Sequence, residues 1–320
     1  MRRKAAALAA VALSLVLGGC NGFNAFNAPE RRVAPPWRPL PVAGAREPAD
    51  IIAASTAAEW RAIDPQNIMV VEFADGQSAF IELAPDFAPV HVANIRSLAR
   101  SGWWSGASLY RVQDNYVSQW GHGDVEKPMP SDVVATPPAE YDRELAGLNV
   151  RPLGYPDPYA PMAGHAFGWP IGYDPDSNRA WLTHCYGSIG VARGLAPDTG
   201  TGGELYAVIG HMPRQLDLNI AVVGRVIEGM SALSARPRGT GNLGFYQAER
   251  GETPAQISRV RLASDMPLAE RPAFEVLRTD SSAFDFYVTG RANRGGAFFQ
   301  RSAGGVDVCN AQVPVRRRQG

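Results

Sequence analysis

The amino-acid sequence predicts a mainly β, loop-heavy protein, and three observations carry that expectation. Glycine and proline are abundant, at 33 and 26 of 320 residues, and both punctuate strands with turns rather than extend helices. Short runs rich in β-branched and aromatic residues recur between such turn signals. Two of these runs, residues 68–73 and 79–83, flank Asp75-Gly76, a hairpin signal because glycine accepts the positive φ of a tight turn. A hydrophobic content of 45% supports a buried core and argues against disorder throughout. Lys plus Arg and Asp plus Glu both total 31, so no basic surplus recommends a nucleic-acid partner. The run Arg316-Arg317-Arg318 reads as a solvated tail.

The N-terminus carries a targeting signal. Arg2, Arg3 and Lys4 form a positive region, and the apolar stretch 5–17 that follows is too short to span a bilayer, so it reads as a signal peptide. Leu17-Gly18-Gly19-Cys20 resembles the bacterial lipobox, which implies removal of residues 1–19 and a diacylglycerol on the Cys20 thiol. Each buried acyl methylene contributes roughly 0.8 kcal/mol, enough for several chains to hold the protein at a membrane without a transmembrane helix. The expected location is therefore the cell envelope, facing the periplasm. Asn21, in place of the Asp associated with inner-membrane retention, favours the outer membrane by analogy. Residues 20–65, with seven prolines from Pro29 to Pro65, read as a membrane spacer, with a short helix around 53–62. With Cys20 lipidated, Cys185 and Cys309 remain in a compartment that permits disulfides: either they are bridged or they are two buried free thiols.

The folded body is expected over residues 66–250. After the hairpin, Val92, Ile95 and Ala99 fall at helical spacing within 90–100, and Gly102 can terminate that helix. Residues 109–119 read as strand interrupted by Asp114-Asn115, and strand-like runs resume at 188–192, 205–209 and 220–226. The stretch 125–183 is rich in Pro, Gly and Tyr with no sustained period, and is expected to be an elaborated insertion lying on the body. Residues 251–320 read as a C-terminal extension packed on it, and a Cys185–Cys309 bridge would join insertion and tail into one accessory layer. No internal repeat is present.

Four collinear segments resemble cyclophilins, with the match running over about 68–235. Phe80-Ile81-Glu82-Leu83, Ala88-Pro89-Val90 and Val92-Ala93-Asn94 look like the family's second strand and first helix. Tyr110-Arg111-Val112, Tyr116-Val117-Ser118-Gln119-Trp120-Gly121 and Gly123-Asp124 are similar to its F-H-R and F-M-x-Q-G-G-D signature. Residues 189–193, Pro197-Asp198-Thr199 and Leu205-Tyr206 resemble M-A-N-x-G-P-N-T-x-G-S-Q-F-F, and Leu216-Asp217 with residues 222–230 looks like the L-D-G-x-x-x-V-F-G-x-V-x-x-G-M ending. The resemblance implies a closed antiparallel eight-stranded β-barrel with two capping helices. The implied activity is peptidyl-prolyl cis-trans isomerisation of exported proteins, with Pro-containing polypeptide segments as partners and neither cofactor nor metal required. A monomer is the favoured state.

X-Pro bonds populate both isomers across a barrier of about 18–20 kcal/mol set by amide resonance. A guanidinium beside the prolyl nitrogen can donate to the lone pair localised there in the transition state. By resemblance that donor is Arg111, with Tyr116, Val117 and Tyr206 as pocket walls. Gln119 matches the residue that binds substrate backbone, and Ala192 a small residue beside the pocket. The sequence also departs from the family: Tyr110 replaces the His before the catalytic Arg, and Glu204 a Gln in the substrate-binding set. Gln215 stands where the cyclosporin-binding members carry Trp, and Ile220 replaces the pocket His, which implies weak cyclosporin affinity. Two rival readings therefore stand beside the enzyme: a cyclophilin-like module that binds Pro-containing segments without turnover, and a structural envelope lipoprotein.

Other motifs carry less. Gly239-Thr240-Gly241-Asn242-Leu243-Gly244 fits G-x-G-x-x-G but lacks the flanking strand and helix of a dinucleotide site. Asp174, Asp176 and Asn178 begin like a calcium loop, yet Cys185 occupies the position a liganding Glu needs. The five histidines show no paired metal spacing, and Ser188 lacks a G-x-S-x-G frame.

Overall fold

The computed structural model describes residues 45–318 apart from Asp124, Glu126, Pro156 and Gly296. The expected signal peptide, the expected lipidation site Cys20 and the expected spacer as far as residue 44 lie outside the described residues. In chain order the elements are α1 (Pro48–Ala54), β1 (Trp60–Ala62), β2 (Ile68–Phe73), β3 (Ser78–Leu83), α2 (Pro89–Arg100), β4 (Ser108–Val112) and β5 (Val117–Gly121). The insertion contributes β6 (Arg143–Glu144), β7 (Arg151–Pro152), β8 (Met162–Ala166), β9 (Trp169–Asp174) and β10 (Arg179–Leu182). There follow β11 (Ser188–Val191), β12 (Leu205–Val208), β13 (Val222–Glu228), α3 (Ser231–Ser234), β14 (Ala255–Leu262), β15 (Phe274–Leu277), α4 (Ser282–Ala292) and β16 (Val315–Arg317).

Eight strands close a barrel in the order β11-β12-β5-β4-β14-β2-β3-β13, with β13 pairing back onto β11 and every pairing antiparallel. Alternation along each strand fills the interior: Met69, Val71 and Phe73 of β2 meet Ile81 and Leu83 of β3 in one core with Trp120 and Leu205. Helix α2 closes one end with Val92, Ile95 and Leu98, which recur every three residues and face that core. Its first turn is capped from the insertion, where the Glu140 carboxylate accepts the Val90 and His91 amides at 2.8 and 2.9 Å. Burial alone would raise the Glu140 pKa, but these hydrogen bonds and that of the His91 ring prevail and hold it below its ordinary value. The second capping helix, α3, is a single turn that buries Ala232 and Leu233.

Two boundaries and the character of the insertion differ from the sequence expectation. The closing strand β14 lies within 251–320, so the barrel ends at Leu262 rather than at 250. A register shift between Ile257 and Arg259 breaks the alternation of Ile257, Val260 and Leu262 and hides the strand in the sequence. The insertion is a five-stranded antiparallel sheet, β6-β10-β9-β8-β7, where an elaborated loop was expected. Its strands are two to six residues long and interrupted by Pro152, Pro170, Gly164 and Gly172, too short to display a period. Residues 48–62, expected within the spacer, belong to the folded body instead: α1 packs on α4, and β1 pairs with β15 in a sheet completed by β16.

That small sheet and α4 form a second core, in which Ile51, Trp60, Phe274, Val276 and Phe284 cover Ile68 and Val70 on the outer wall of β2. Burial on both faces explains why Ile68-Met69-Val70-Val71 is continuously apolar. The 284–288 run, rich in aromatic residues, belongs to helix α4. Cys185 and Cys309 are disulfide-bonded with Cα atoms 5.0 Å apart, tying the chain just after β10 to the tail across 124 residues. In the chain-entropy picture a link closing so long a loop removes unfolded-state entropy worth about 5 kcal/mol.

Candidate functional site

Strands β4 and β5 carry the polar half of the site. Successive side chains of a regular strand point to opposite faces, so Tyr110 and Arg111 should diverge. A register shift between Leu109 and Arg111 lets both reach one partner instead: Gln119, the cross-strand neighbour of Arg111. Arg111 Nη1 donates to Gln119 Oε1 at 2.9 Å, and Gln119 Nε2 donates to the Tyr110 hydroxyl at 2.7 Å. That hydroxyl donates to Glu204 Oε2 at 2.6 Å. Each group therefore donates to the next, and the row ends on a carboxylate whose other oxygen accepts the His122 and Gly123 amides.

Electrostatics act on the two ends of the Tyr110–Glu204 bond. Burial raises the Glu204 pKa above the carboxylate range's ordinary value, against the opposing pull of its hydrogen-bond donors. Burial and the adjacent Glu204 charge push the Tyr110 hydroxyl far up, so it stays protonated and donating. Arg111 is half-buried; desolvation lowers its pKa, opposed by Tyr116, Tyr110 and Tyr206. Its remaining bonds go to Gln113 Oε1 at 2.6 Å and the Leu243 carbonyl at 2.8 Å.

The apolar half lies beside it. Val117 of β5 with Tyr206 and Val208 of β12 form a small buried cluster, against which Tyr116, Ala192, Leu216 and Ile220 pack half-buried. The Arg111 guanidinium stands 5.8 Å from the centre of the Tyr116 ring. Tyr206 lies across Gly190 of β11, where a Cβ would come within 2.2 Å of the phenol ring, so only glycine gives that ring its seat. On the other side a cavity of about 340 Å³ is bordered by Gln119, Ala192, Gly203, Glu204, Trp103 and Met129. A larger cavity, about 650 Å³, lies on the far side of the structure between α1, the C-terminal segment and the outer wall of β13, away from Arg111.

The structure brings Arg111, Tyr116, Val117, Gln119, Ala192, Glu204 and Tyr206 together in one site. Both Glu204 oxygens are engaged by the protein, Oε2 by the Tyr110 hydroxyl and Oε1 by the His122 and Gly123 amides, and the residue also borders the cavity beside Gln119 and Ala192. Cys185 and Cys309 lie elsewhere, in the bridge, and Cys20 lies outside the described residues. Two contributors escaped the sequence reading. Tyr110, read as a departure, is the link between Gln119 and Glu204. The Gly239–Gly244 motif is a tight turn docked on β4: a Cβ on Gly244, whose φ is +79°, would meet the Val112 carbonyl at 2.6 Å. That turn delivers the Leu243 carbonyl to Arg111 and sets Phe245 5.3 Å from its guanidinium, stacked on Tyr110 at 5.9 Å. The glycine spacing was the available signal, read against the wrong motif.

Residues 69–261 match the family model described as cyclophilin type peptidyl-prolyl cis-trans isomerase/CLD. A probable peptidyl-prolyl cis-trans isomerase of Brucella suis biovar 1 is 28% identical over 209 residues, covering 64% of this chain and 86% of its own. Its counterpart in Brucella abortus is 27% identical over the same length. Among solved structures, the cyclophilin AquaCyp293 from Hirschia baltica superposes with a TM-score of 0.62 at 25% identity, covering 81% of this chain and 93% of that one.

Proposed function

The chain belongs to the cyclophilin-type peptidyl-prolyl cis-trans isomerase family and is an isomerase of X-Pro bonds, and on that premise we propose that Arg111 is its catalytic residue, acting on proline segments of exported proteins. One observation carries the assignment: a guanidinium fixed by Gln119, Gln113 and Leu243 beside the apolar recess of Tyr116, Val117 and Tyr206. The recess takes the pyrrolidine ring and strips it of water. Three of the five guanidinium N–H groups are committed to the protein, which leaves two for the substrate. As the peptide bond twists, resonance is lost and the prolyl nitrogen gains a lone pair. A donated N–H then stabilises the twisted state more than either planar isomer, which lowers the barrier. Gln119 keeps one amide hydrogen free for the substrate backbone, and Ala192 leaves room for the residue before proline.

The same reading assigns the enzyme to the cell envelope, tethered through lipidated Cys20 and facing the periplasm, with the outer membrane favoured. The support is the lipobox-like Leu17-Gly18-Gly19-Cys20 and a disulfide of the kind that persists in oxidising compartments. A protease-coupled Pro-peptide assay tests the chemistry. Arg111→Ala should lower kcat/KM about 100-fold or more, the scale of losing one preorganised donor, with peptide affinity changed far less. An undiminished rate in that variant removes Arg111 from the mechanism.

A further inference from the structure

A second row of polar groups, buried in the protein, reaches the recess from the opposite side. It begins in the insertion, where Asp157 holds Arg214 through two hydrogen bonds, Nη2 to Oδ1 at 2.7 Å and Nη1 to Oδ2 at 3.2 Å. Tyr159, two residues on, lies 4.9 Å beneath the same guanidinium. Arg214 Nε donates to Asp217 Oδ2 at 2.9 Å, and Asp217 Oδ1 accepts both the amide and the Nδ1 of His184, each at 2.9 Å. With Nδ1 carrying its hydrogen toward the carboxylate, His184 Nε2 is left to accept the Tyr206 hydroxyl, 3.0 Å away. The side chains of Asp157, Arg214, Asp217, His184 and Tyr206 are at most 4% exposed, whereas Tyr159 stands at the surface.

The row ends on three of the walls of the recess. Tyr206 is pinned at both ends, its ring over Gly190 and its hydroxyl on His184, so the recess receives the apolar ring face while the polar tip points away. Leu216 and Ile220 flank Asp217 on one short loop; the His184 amide and ring tie the Asp217 carboxylate to the segment leading into β11, and Arg214 closes the loop on itself. Burying this many polar groups is stable only when each is satisfied, and releasing one frees its neighbours. We infer that Asp157, Arg214, Asp217 and His184 are positioning residues through which the insertion sets the affinity of the proline recess for its peptide. The inference rests on the reading of that recess as the substrate pocket.

The test titrates a Pro-containing tetrapeptide into the full chain by calorimetry and measures kcat and KM on the same peptide. Asp157→Ala should raise Kd about fivefold and lower kcat/KM by the same factor while kcat stays within about twofold of the parent, and Asp157→Glu should recover most of the loss. A folded Asp157→Ala protein with unchanged Kd overturns the inference, as does a fall in kcat at constant Kd. Should Asp157→Ala not fold, Tyr206→Phe cuts the tie at its pocket end without emptying the ring's seat. That variant should raise Kd about threefold, the scale of one neutral hydrogen bond, and an unchanged Kd there is equally decisive against the brace. Failure of the enzyme reading looks different: the parent would bind peptide without turnover or ignore Arg111→Ala, while the Kd series would still decide the brace.

Discussion

Two polar rows flank the same recess and are built on opposite terms. The row Arg111, Gln119, Tyr110 and Glu204 opens at one end: Arg111 is half-buried, keeps two N–H groups uncommitted and faces the recess. The row Asp157, Arg214, Asp217, His184 and Tyr206 is closed, with its side chains at most 4% exposed and its charges paired inside. Spare donor capacity at a wet edge serves a substrate that arrives and leaves. Saturated bonding in a dry interior serves geometry, because any partner lost there leaves a desolvated group behind. The first row is therefore expected to govern rate, and the second stability and affinity.

Breaking the closed row has the largest expected effect. Arg214→Met leaves the Asp157 and Asp217 carboxylates buried without their cation, which should cost about 3–5 kcal/mol in denaturant unfolding. A loss under about 1 kcal/mol, the expectation for Arg111→Ala at the open row, would erase the contrast between the two. An intermediate effect is expected from His165, a buried group in neither row. Its Nε2 faces the Ala311 carbonyl at 2.9 Å, and burial lowers its pKa from 6.5 to about 3. The unfolded chain takes up this proton below 6.5 while the folded chain refuses it until about 3, so stability is full above 6.5 and falls on acidification through that window. Between pH 6.5 and about 5, ahead of most carboxylate titration, the loss should be about 2 kcal/mol, and His165→Gln should flatten the profile. The smallest effect belongs to Tyr110→Phe, which removes the link between Gln119 and Glu204 at the open row. It should reduce kcat/KM a few-fold, about 1 kcal/mol, with little change in the unfolding midpoint. A larger loss of stability than of rate would assign Tyr110 to structure instead.

The barrel was legible where local chemistry and regular alternation coincide. The Asp75-Gly76 hairpin, the helix with Val92 and Ile95, and the strands at 188, 205 and 222 all stand where their residues predict. Legibility failed at irregularities. The shift in β14 disguised a closing strand as extension, and the shift in β4 disguised Tyr110 as a mere substitution. The insertion sheet had strands too short to show a period, and α1 and β1 sat inside a proline-rich stretch that composition reads as linker.

By itself, the sequence determined the barrel's strand signals, the family signature around Arg111 and Gln119, and the residue types that wall the recess. These are carried by neighbours a few positions apart, whose turn chemistry and side-chain alternation are fixed before any long-range contact forms. Only the tertiary structure decided that Tyr110 completes a row to Glu204, that Leu243 and Phe245 flank Arg111, and that Asp157 grips Arg214 from 57 positions away. Those partners are chosen by register shifts and by which polar groups burial leaves unsatisfied. Both exist only once the chain has closed on itself.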